Sequence, residues 1–193
     1  STGEQNVNIK PEEKRKIFSY LSARHDFITN TTASSASFWR DQTSSLAIDG
    51  RTDTSWRGHR GFWEEIFRGR SKEVEFFSVD LKSVKLISQV RWIPGFYQLV
   101  PTEYKILTSV DSQKWDVVRE VKKREYLPTE TVIIDSFNPI DARYVKMEVT
   151  KTYSNDGPEI KEFEVVESRF ADFDRVKINQ LETQPFSDVL NID

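Results

Sequence analysis

Apolar and polar residues alternate through most of the middle of the chain. Val145, Met147 and Val149 are separated by polar or amphipathic residues, which is the period of a strand with one buried face. Phe163 and Val165 follow the same rule further on, so we expect these five residues to face the core. The pattern predicts strands over 74–81, 86–93, 102–110, 115–121, 131–134, 143–149 and 161–167.

The two ends of the chain have a different texture. Pro11 and two Glu open residues 11–24, and Ile17, Tyr20 and Leu21 share one side, which predicts a short amphipathic helix. Residues 30–35 are rich in Asn, Thr and Ser and predict a loop. Beyond residue 168 no regular pattern continues. We therefore divide the chain into an N-terminal extension (1–32), a strand-rich domain (33–168) and a C-terminal tail (169–193).

Short turns, and no helical pattern, separate the predicted strands. This arrangement is typical of an all-β, antiparallel β-sandwich, the class to which jelly rolls belong. The pattern thus predicts an antiparallel β-sandwich that carries a short N-terminal helix and an irregular C-terminal tail.

Composition narrows the class of protein. The chain has 193 residues, 37% of them hydrophobic, with 13 Phe, 5 Trp and 6 Tyr, which favours a packed globular domain. Its net charge of −3 comes from 28 basic and 31 acidic residues, so no nucleic-acid footprint is expected. No apolar run is long enough to predict a transmembrane segment. The absence of Cys excludes disulfides, thiol nucleophiles and Cys-zinc sites, and favours a reducing compartment or a bacterial-type secreted module.

Residues suited to catalysis are scarce. His25 and His59 are the two histidines, and no nucleophile-elbow or His-Glu-x-x-His motif is present. We expect a protein that is not an enzyme.

The segment LAIDGRTDTSW, residues 46–56, has the strongest chemical character. A loop that bends at Gly50 can direct the Asp49 carboxylate, the Thr54 hydroxyl and several backbone carbonyls toward one centre. Hard oxygen donors of this kind suit calcium. Trp56 then returns the chain to the interior. The alternative is an ordinary Asp-Gly turn between two strands.

A basic and aromatic insertion, RGHRGFWEEIFRGRSK, occupies residues 57–72. Guanidinium groups bind carboxylate, sulfate or phosphate bidentately, and aromatic rings add stacking or membrane-interface area. The segment predicts a site for an anionic ligand, such as a sulfated or sialylated glycan, a phospholipid head group or an acidic protein segment. The alternative is a long loop that covers the open end of the sandwich. The predicted binding residues here are Arg60, Trp63, Arg68 and Arg70.

Other aromatic residues are divided between core and surface. Trp56 and Trp115 are predicted to be core residues, whereas Trp92 is left open because Pro94-Gly95 breaks its strand. Phe96 and Tyr97 then project from a loop, where they can stack on a sugar, a partner or a bilayer interface. The alternative is that both fold back over the end of the sandwich.

Five segments of the strand-rich domain occur in a characteristic order: SSLAIDGRTDTSW, FFSVDLKSVKLISQVRW, TEYKILTSVDSQKW, IDARYVKMEV and EIKEFEVVE. Together they resemble the coagulation factor V/VIII type C (discoidin) domain, a galactose-binding-like jelly roll shared with many carbohydrate-binding modules. The match covers about residues 33–168. Ser112 stands where Gly is usual, the terminal Cys pair of extracellular animal members is missing, and the stretch 57–77 is longer than usual.

The resemblance implies a calcium site in the first loop, closed by a Glu of the last strand. It also implies a non-catalytic module that recognises a glycan, at the cell surface or outside the cell; the missing Cys leaves an intracellular location open. A protein-interaction module within a larger assembly and peripheral binding to anionic phospholipid are the alternatives. The implied calcium ligands are the Ala47 carbonyl, Asp49, the Arg51 carbonyl, Thr54 and Glu162.

Overall fold

The computed structural model describes residues 10–13, 15–16, 30–34, 36, 42–58, 74–125, 132–154 and 157–172. Within these residues the chain forms seven strands and three 3₁₀ turns, besides the helical residues 11–13 and 15–16. The turns span Ser44–Ala47, Tyr97–Leu99 and Ser168–Phe170. The strands are β1 (Asn30–Ala33), β2 (Trp56–Arg57), β3 (Glu75–Pro94), β4 (Pro101–Ser109), β5 (Asp116–Val121), β6 (Ile133–Thr152) and β7 (Glu159–Glu167).

Two long antiparallel strands, β3 and β6, take part in both layers of the sandwich. Their first shared segment pairs Glu75–Asp80 with Val149–Tyr144, and this layer continues to β1 on one side and to β4 and β5 on the other. After irregular pairing around residues 81–89, the second half of β3 lies between β6 and β7, and β2 adds to β7. The result is an antiparallel jelly-roll sandwich, as the sequence predicted.

Aromatic side chains fill the space between the two layers. The Phe77 ring of the first layer lies 5.4 Å from Trp56 and 5.2 Å from Phe163 of the second. Trp92 meets Tyr104 edge to face at 5.6 Å. Trp92, which the sequence left open, is therefore a core residue. The predicted core positions Val145, Met147, Val149, Phe163 and Val165 are all buried, which confirms the register.

Four sequence predictions were wrong, three about elements and one about the burial of a side chain. The predicted strands 74–81 and 86–93 are one strand, β3, and the predicted strands 131–134 and 143–149 are both parts of β6. Residues 30–33, predicted to be a loop, form β1, because their hydroxyl-rich sequence pairs with the edge of β3. Trp115, predicted to be in the core, is only half-buried. It follows the β4–β5 turn, where Lys146 lies 4.2 Å from its ring centre.

Contacts divide the chain into two units, residues 28–168 and the two ends 1–27 and 169–193. In the second unit, residues 11–13 and 15–16 are helical, and the rest of the predicted helix lies outside the described residues. The Arg169 guanidinium lies 4.6 Å from the Phe170 ring centre. Across the described residues, no helix has the length and apolar character needed to cross a membrane.

Candidate functional site

The loop between the first 3₁₀ turn and β2 folds around the Asp49 carboxylate. The Thr54 hydroxyl lies 2.8 and 3.0 Å from the two Asp49 oxygens, and the Arg51 amide donates to Asp49 Oδ1 at 2.9 Å. Gly50 has a φ of +79°, a conformation that glycine adopts without strain. Local hydrogen bonds thus hold a carboxylate at the surface of the loop.

Glu162 of β7 is distant from this loop in the sequence but contacts it in the fold. Its Oε1 accepts a hydrogen bond of 3.0 Å from the Arg51 amide. Burial raises the pKa of Glu162 to about 7; the adjacent Asp49 carboxylate adds to the rise, whereas the Gly50 and Arg51 amides oppose it. The fold therefore places two carboxylates side by side, as the sequence resemblance implied.

Hard oxygen donors surround this carboxylate pair. The nearest cation of the loop, the Arg51 guanidinium, is engaged by Asp53 at 2.7 Å. No group of three or more His, Cys, Asp or Glu among the described residues is placed to hold a metal, so a cation here would also use carbonyl or hydroxyl oxygens. Asp49, Arg51, Thr54 and Glu162 lie together, and Ala47 is buried at the end of the adjoining 3₁₀ turn. Such a donor set fits calcium chemistry.

An exposed aromatic surface lies where β3 ends and β7 begins. Phe96, Tyr97 and Tyr153 are 57%, 49% and 64% exposed. The Tyr97 ring lies 5.2 Å from that of Phe96 and 6.0 Å from that of Tyr153. The two predicted rings therefore do not fold back onto the core. We refer to Phe96, Tyr97 and Tyr153 as the aromatic surface.

Tyr153 was not predicted as a site residue. Backbone hydrogen bonds from Tyr153 to Val100, and from Ser154 to Gln98, bring the turn after β6 against the 3₁₀ turn that carries Tyr97. The signal in the sequence is slight, a single aromatic residue within the polar segment KTYSND. Tyr153 lies beside Tyr97 because β4 pairs with β6.

Glu159, the first residue of β7, connects the aromatic surface to the loop before β2. Its carboxylate accepts hydrogen bonds from the Ser55 hydroxyl at 2.7 Å and from the Phe96 amide at 3.1 Å. A Cβ at Gly95 would lie 2.3–2.6 Å from the Glu159 side chain, so glycine is required there. One side chain thus fixes both loops at the same end of the sandwich.

The remaining predicted residues lie outside the described part of the chain. They are Arg60, Trp63, Arg68 and Arg70 of the insertion, together with His25 and His59.

The topology and the loops at one end define an antiparallel, galactose-binding-like jelly roll. The sequence profile of the F5/8 type C domain matches residues 30–165. The chain belongs to the F5/8 type C domain family. No curated protein sequence matches it significantly.

Solved structures with the same fold include carbohydrate-binding modules. A chitosan-binding module of a Paenibacillus sp. IK-5 chitosanase/glucanase has 24% identity and a TM-score of 0.58, covering 70% of this chain and 92% of its own. A CBM32 module of Clostridium perfringens, in complex with GalNAc-β-1,3-galactose, has 17% identity and a TM-score of 0.59 over 74% and 96%. The family 32 module of C. perfringens NanJ, in complex with galactose, has 20% identity and a TM-score of 0.57 over 74% and 95%.

Proposed function

We propose that this protein is a non-catalytic binding module that recognises a glycan through the aromatic surface. The observation that carries the proposal is the group of three exposed rings at one end of the sandwich. Exposed apolar groups of this kind commonly mark ligand or partner sites, and the Tyr hydroxyls add hydrogen-bonding capacity. The similar solved modules, two of them with sugars bound, support the same ligand class.

The proposed module is also stabilised by calcium at the carboxylate pair. Asp49 and Glu162 would supply negative charge, and Thr54 and backbone carbonyls of the loop would supply neutral oxygens. Bound calcium contributes positive charge that the loop lacks, since the Arg51 guanidinium is held by Asp53. The ion would connect the loop before β2 to β7 and would stabilise the fold through binding linkage.

A glycan array probed with the full chain tests the glycan proposal. Replacing Tyr97 and Tyr153 together by Ala should weaken binding to the retained glycans about tenfold or more, because each aromatic contact is worth roughly 0.5–1.5 kcal/mol. Leu86→Ala is the matched control, since Leu86 is a large apolar residue of similar exposure, 51%, that lies within β3. The control should bind as the unchanged protein does.

Two other results would change the assignment. Binding to vesicles of phosphatidylserine and phosphatidylcholine, without retention of any glycan, would favour the phospholipid alternative. Glycan binding that survives the Tyr97 and Tyr153 replacements would move the site away from the aromatic surface. The predicted basic residues of 57–72 would then be the next to replace, starting with Arg68 and Arg70.

A further inference from the structure

A groove of about 400 Å³ lies on the outer face of the first layer, away from the core. Its floor is formed by alternate residues of β3 and β6, among them Ser78, Asp80 and Tyr144. β1 borders it on one side, and Trp115 after the β4–β5 turn borders it on the other. The volume falls within the range of about 300–1,000 Å³ that is typical of small-molecule sites.

Neutral polar groups line this groove without partners in the described part of the chain. Ser78 lies on the floor of the groove, and its hydroxyl makes no hydrogen bond within the described residues. The Asn30 amide and the Thr32 and Tyr144 hydroxyls line the same groove and are likewise unbonded among the described residues. Asn30 and Thr32 are exposed and Tyr144 is half-buried, so their polar groups face solvent and are accessible to a ligand.

The charged side chains around the groove are already paired within the chain. Arg143 binds Asp80 through two hydrogen bonds of 3.0 Å, which hold the pKa of the Asp80 carboxyl below its usual value. Lys146 Nζ lies 2.9 Å from Glu148 and sits over the Trp115 ring. An ionic ligand would have to displace one of these pairs. The polar groups of the groove that have no partner among the described residues are therefore neutral hydrogen-bond donors and acceptors.

Ser112 adds a further hydroxyl-bearing residue at the edge of the groove. Its φ is +63°, a region that non-glycine residues enter at some cost. The Ser109 hydroxyl accepts a hydrogen bond of 2.9 Å from the Ser112 amide and holds the turn in place. The turn thus presents a side chain at a position where glycine would be the unstrained choice.

We propose that this sheet-face groove, lined by Asn30, Thr32, Ser78, Ser112, Trp115 and Tyr144, binds a neutral saccharide. Hydroxyl and amide groups on a rigid sheet, bordered by an aromatic ring, match the alternating hydroxyls and C–H faces of a pyranose. The proposal is independent of the aromatic surface. Tyr144 and Thr152 lie near opposite ends of the β6 segment that pairs with β4, roughly 25 Å apart at the rise of a strand.

Amide chemical shifts of the ¹⁵N-labelled full chain test this site. Lactose, maltose and cellobiose are titrated separately into the millimolar range. At least one of them should shift the amides of Ser78, Asp80, Ser112 and Tyr144. Replacing Thr32 by Val and Tyr144 by Phe removes two hydroxyls at nearly constant shape and should weaken this binding about tenfold. Thr150→Val, which removes an exposed hydroxyl from β6 outside the groove, is the matched control and should leave this binding unaltered.

The outcomes separate the groove from the proposed function. Shifts confined to Tyr97 and Tyr153 would overturn the groove and support the aromatic surface, whereas shifts confined to the groove would do the reverse. No groove shifts with any of the three sugars would overturn this proposal. A chondroitin sulfate disaccharide that shifts the groove amides where the neutral sugars do not would also overturn it, because the ligand would then be anionic.

Discussion

Two carboxylates in the second layer of the sandwich are held in opposite ways. Asp135 of β6 is 1% exposed, and its Oδ2 accepts hydrogen bonds from Trp92 Nε1 at 3.0 Å and from the Tyr104 hydroxyl at 2.8 Å. Arg119 and Arg124 lie 3.7 and 4.0 Å from its Oδ1. Glu162 of β7 instead faces a second carboxylate, Asp49, and accepts hydrogen bonds from the backbone amides of the loop.

This difference separates a structural carboxylate from a candidate ligand site. Burial, together with the Asp135 carboxylate, raises the pKa of Tyr104 far above its usual value, so its hydroxyl stays a donor at all ordinary pH. The chain thus supplies the donors and positive charge that Asp135 needs. Around Glu162 it supplies a like charge, and the balance has to come from a proton or a bound cation.

The largest effect is expected from removing the structural carboxylate. Asp135→Ala leaves the Trp92 and Tyr104 donors and the arginine charges without their acceptor, and should lower the free energy of unfolding by about 3–5 kcal/mol. Urea denaturation measures this loss. Asp141→Ala, an exposed position on the same strand, is the control and should change stability by less than about 0.5 kcal/mol. If Asp135→Ala hardly lowered the free energy of unfolding, Asp135 would not be the structural carboxylate of this comparison.

The second-largest effect is expected from calcium, which should bind at Glu162 and Asp49 and not at Asp135. At about 100 times its dissociation constant, calcium would stabilise the protein by about 2.7 kcal/mol and raise its Tm by about 5–10 °C. Asp49→Ala should abolish that shift. Asp141→Ala, which removes an exposed carboxylate on β6 and leaves the Arg51–Asp53 pair intact, should retain it. If the melting curves of the unchanged protein coincide in calcium and in chelator, the proposed calcium site is wrong.

Alternation along the strands was enough to predict the sandwich and its core, but it could not predict where strands continue. Residues 82–84 of β3 are all exposed and read as a turn. Pairing with β6 is interrupted there, with Lys82 at a φ of +65°, and resumes at Lys85 with Ala142, so that β3 continues past the irregularity. The prediction that Trp115 is a core residue was wrong for a related reason. Its large apolar area suggested burial, yet the preceding turn, in which Ser112 has positive φ, leaves it beside the outer face of the sheet.

The candidate sites were predictable only where their chemistry is local. Asp49 and Thr54 share one loop, and Phe96 and Tyr97 follow a Pro-Gly break, so the sequence indicated all four. Glu162 required the family resemblance, since only the fold brings β7 to that loop. The link through Glu159 and the addition of Tyr153 depend on pairing between distant strands, which no local pattern encodes.

Acidity should affect the carboxylate pair in the absence of calcium. The pKa of Glu162 is raised from 4.5 to about 7 in the folded state, so the folded protein binds more protons than the unfolded chain between those values. The contribution of Glu162 to stability in chelator should therefore be fully present below pH 4.5 and decline as the pH rises to about 7. Because solvent reaches part of this side chain, we expect a loss of about 1–2 kcal/mol.

Urea midpoints measured across that pH range, with and without calcium, check the sign. Glu162→Gln in chelator should remove the component of the slope that belongs to this group. Calcium should also oppose the decline, because it favours the ionised carboxylates. A slope that is the same in Glu162→Gln as in the unchanged protein would assign the titration to another group.

The smallest effect concerns the neutral member of the loop. Thr54→Val removes the hydroxyl that donates to both Asp49 oxygens at nearly constant volume, and should cost less than about 1 kcal/mol in chelator because the loop is exposed. In calcium the loss should be larger, since the same oxygen is a predicted ligand and the affinity would fall as well. Thr54→Ser keeps the hydroxyl and should restore both quantities. Isothermal titration with calcium alongside thermal melts separates the two contributions. Equal losses with and without calcium would leave Thr54 as a support of the turn and remove it from the ligand set.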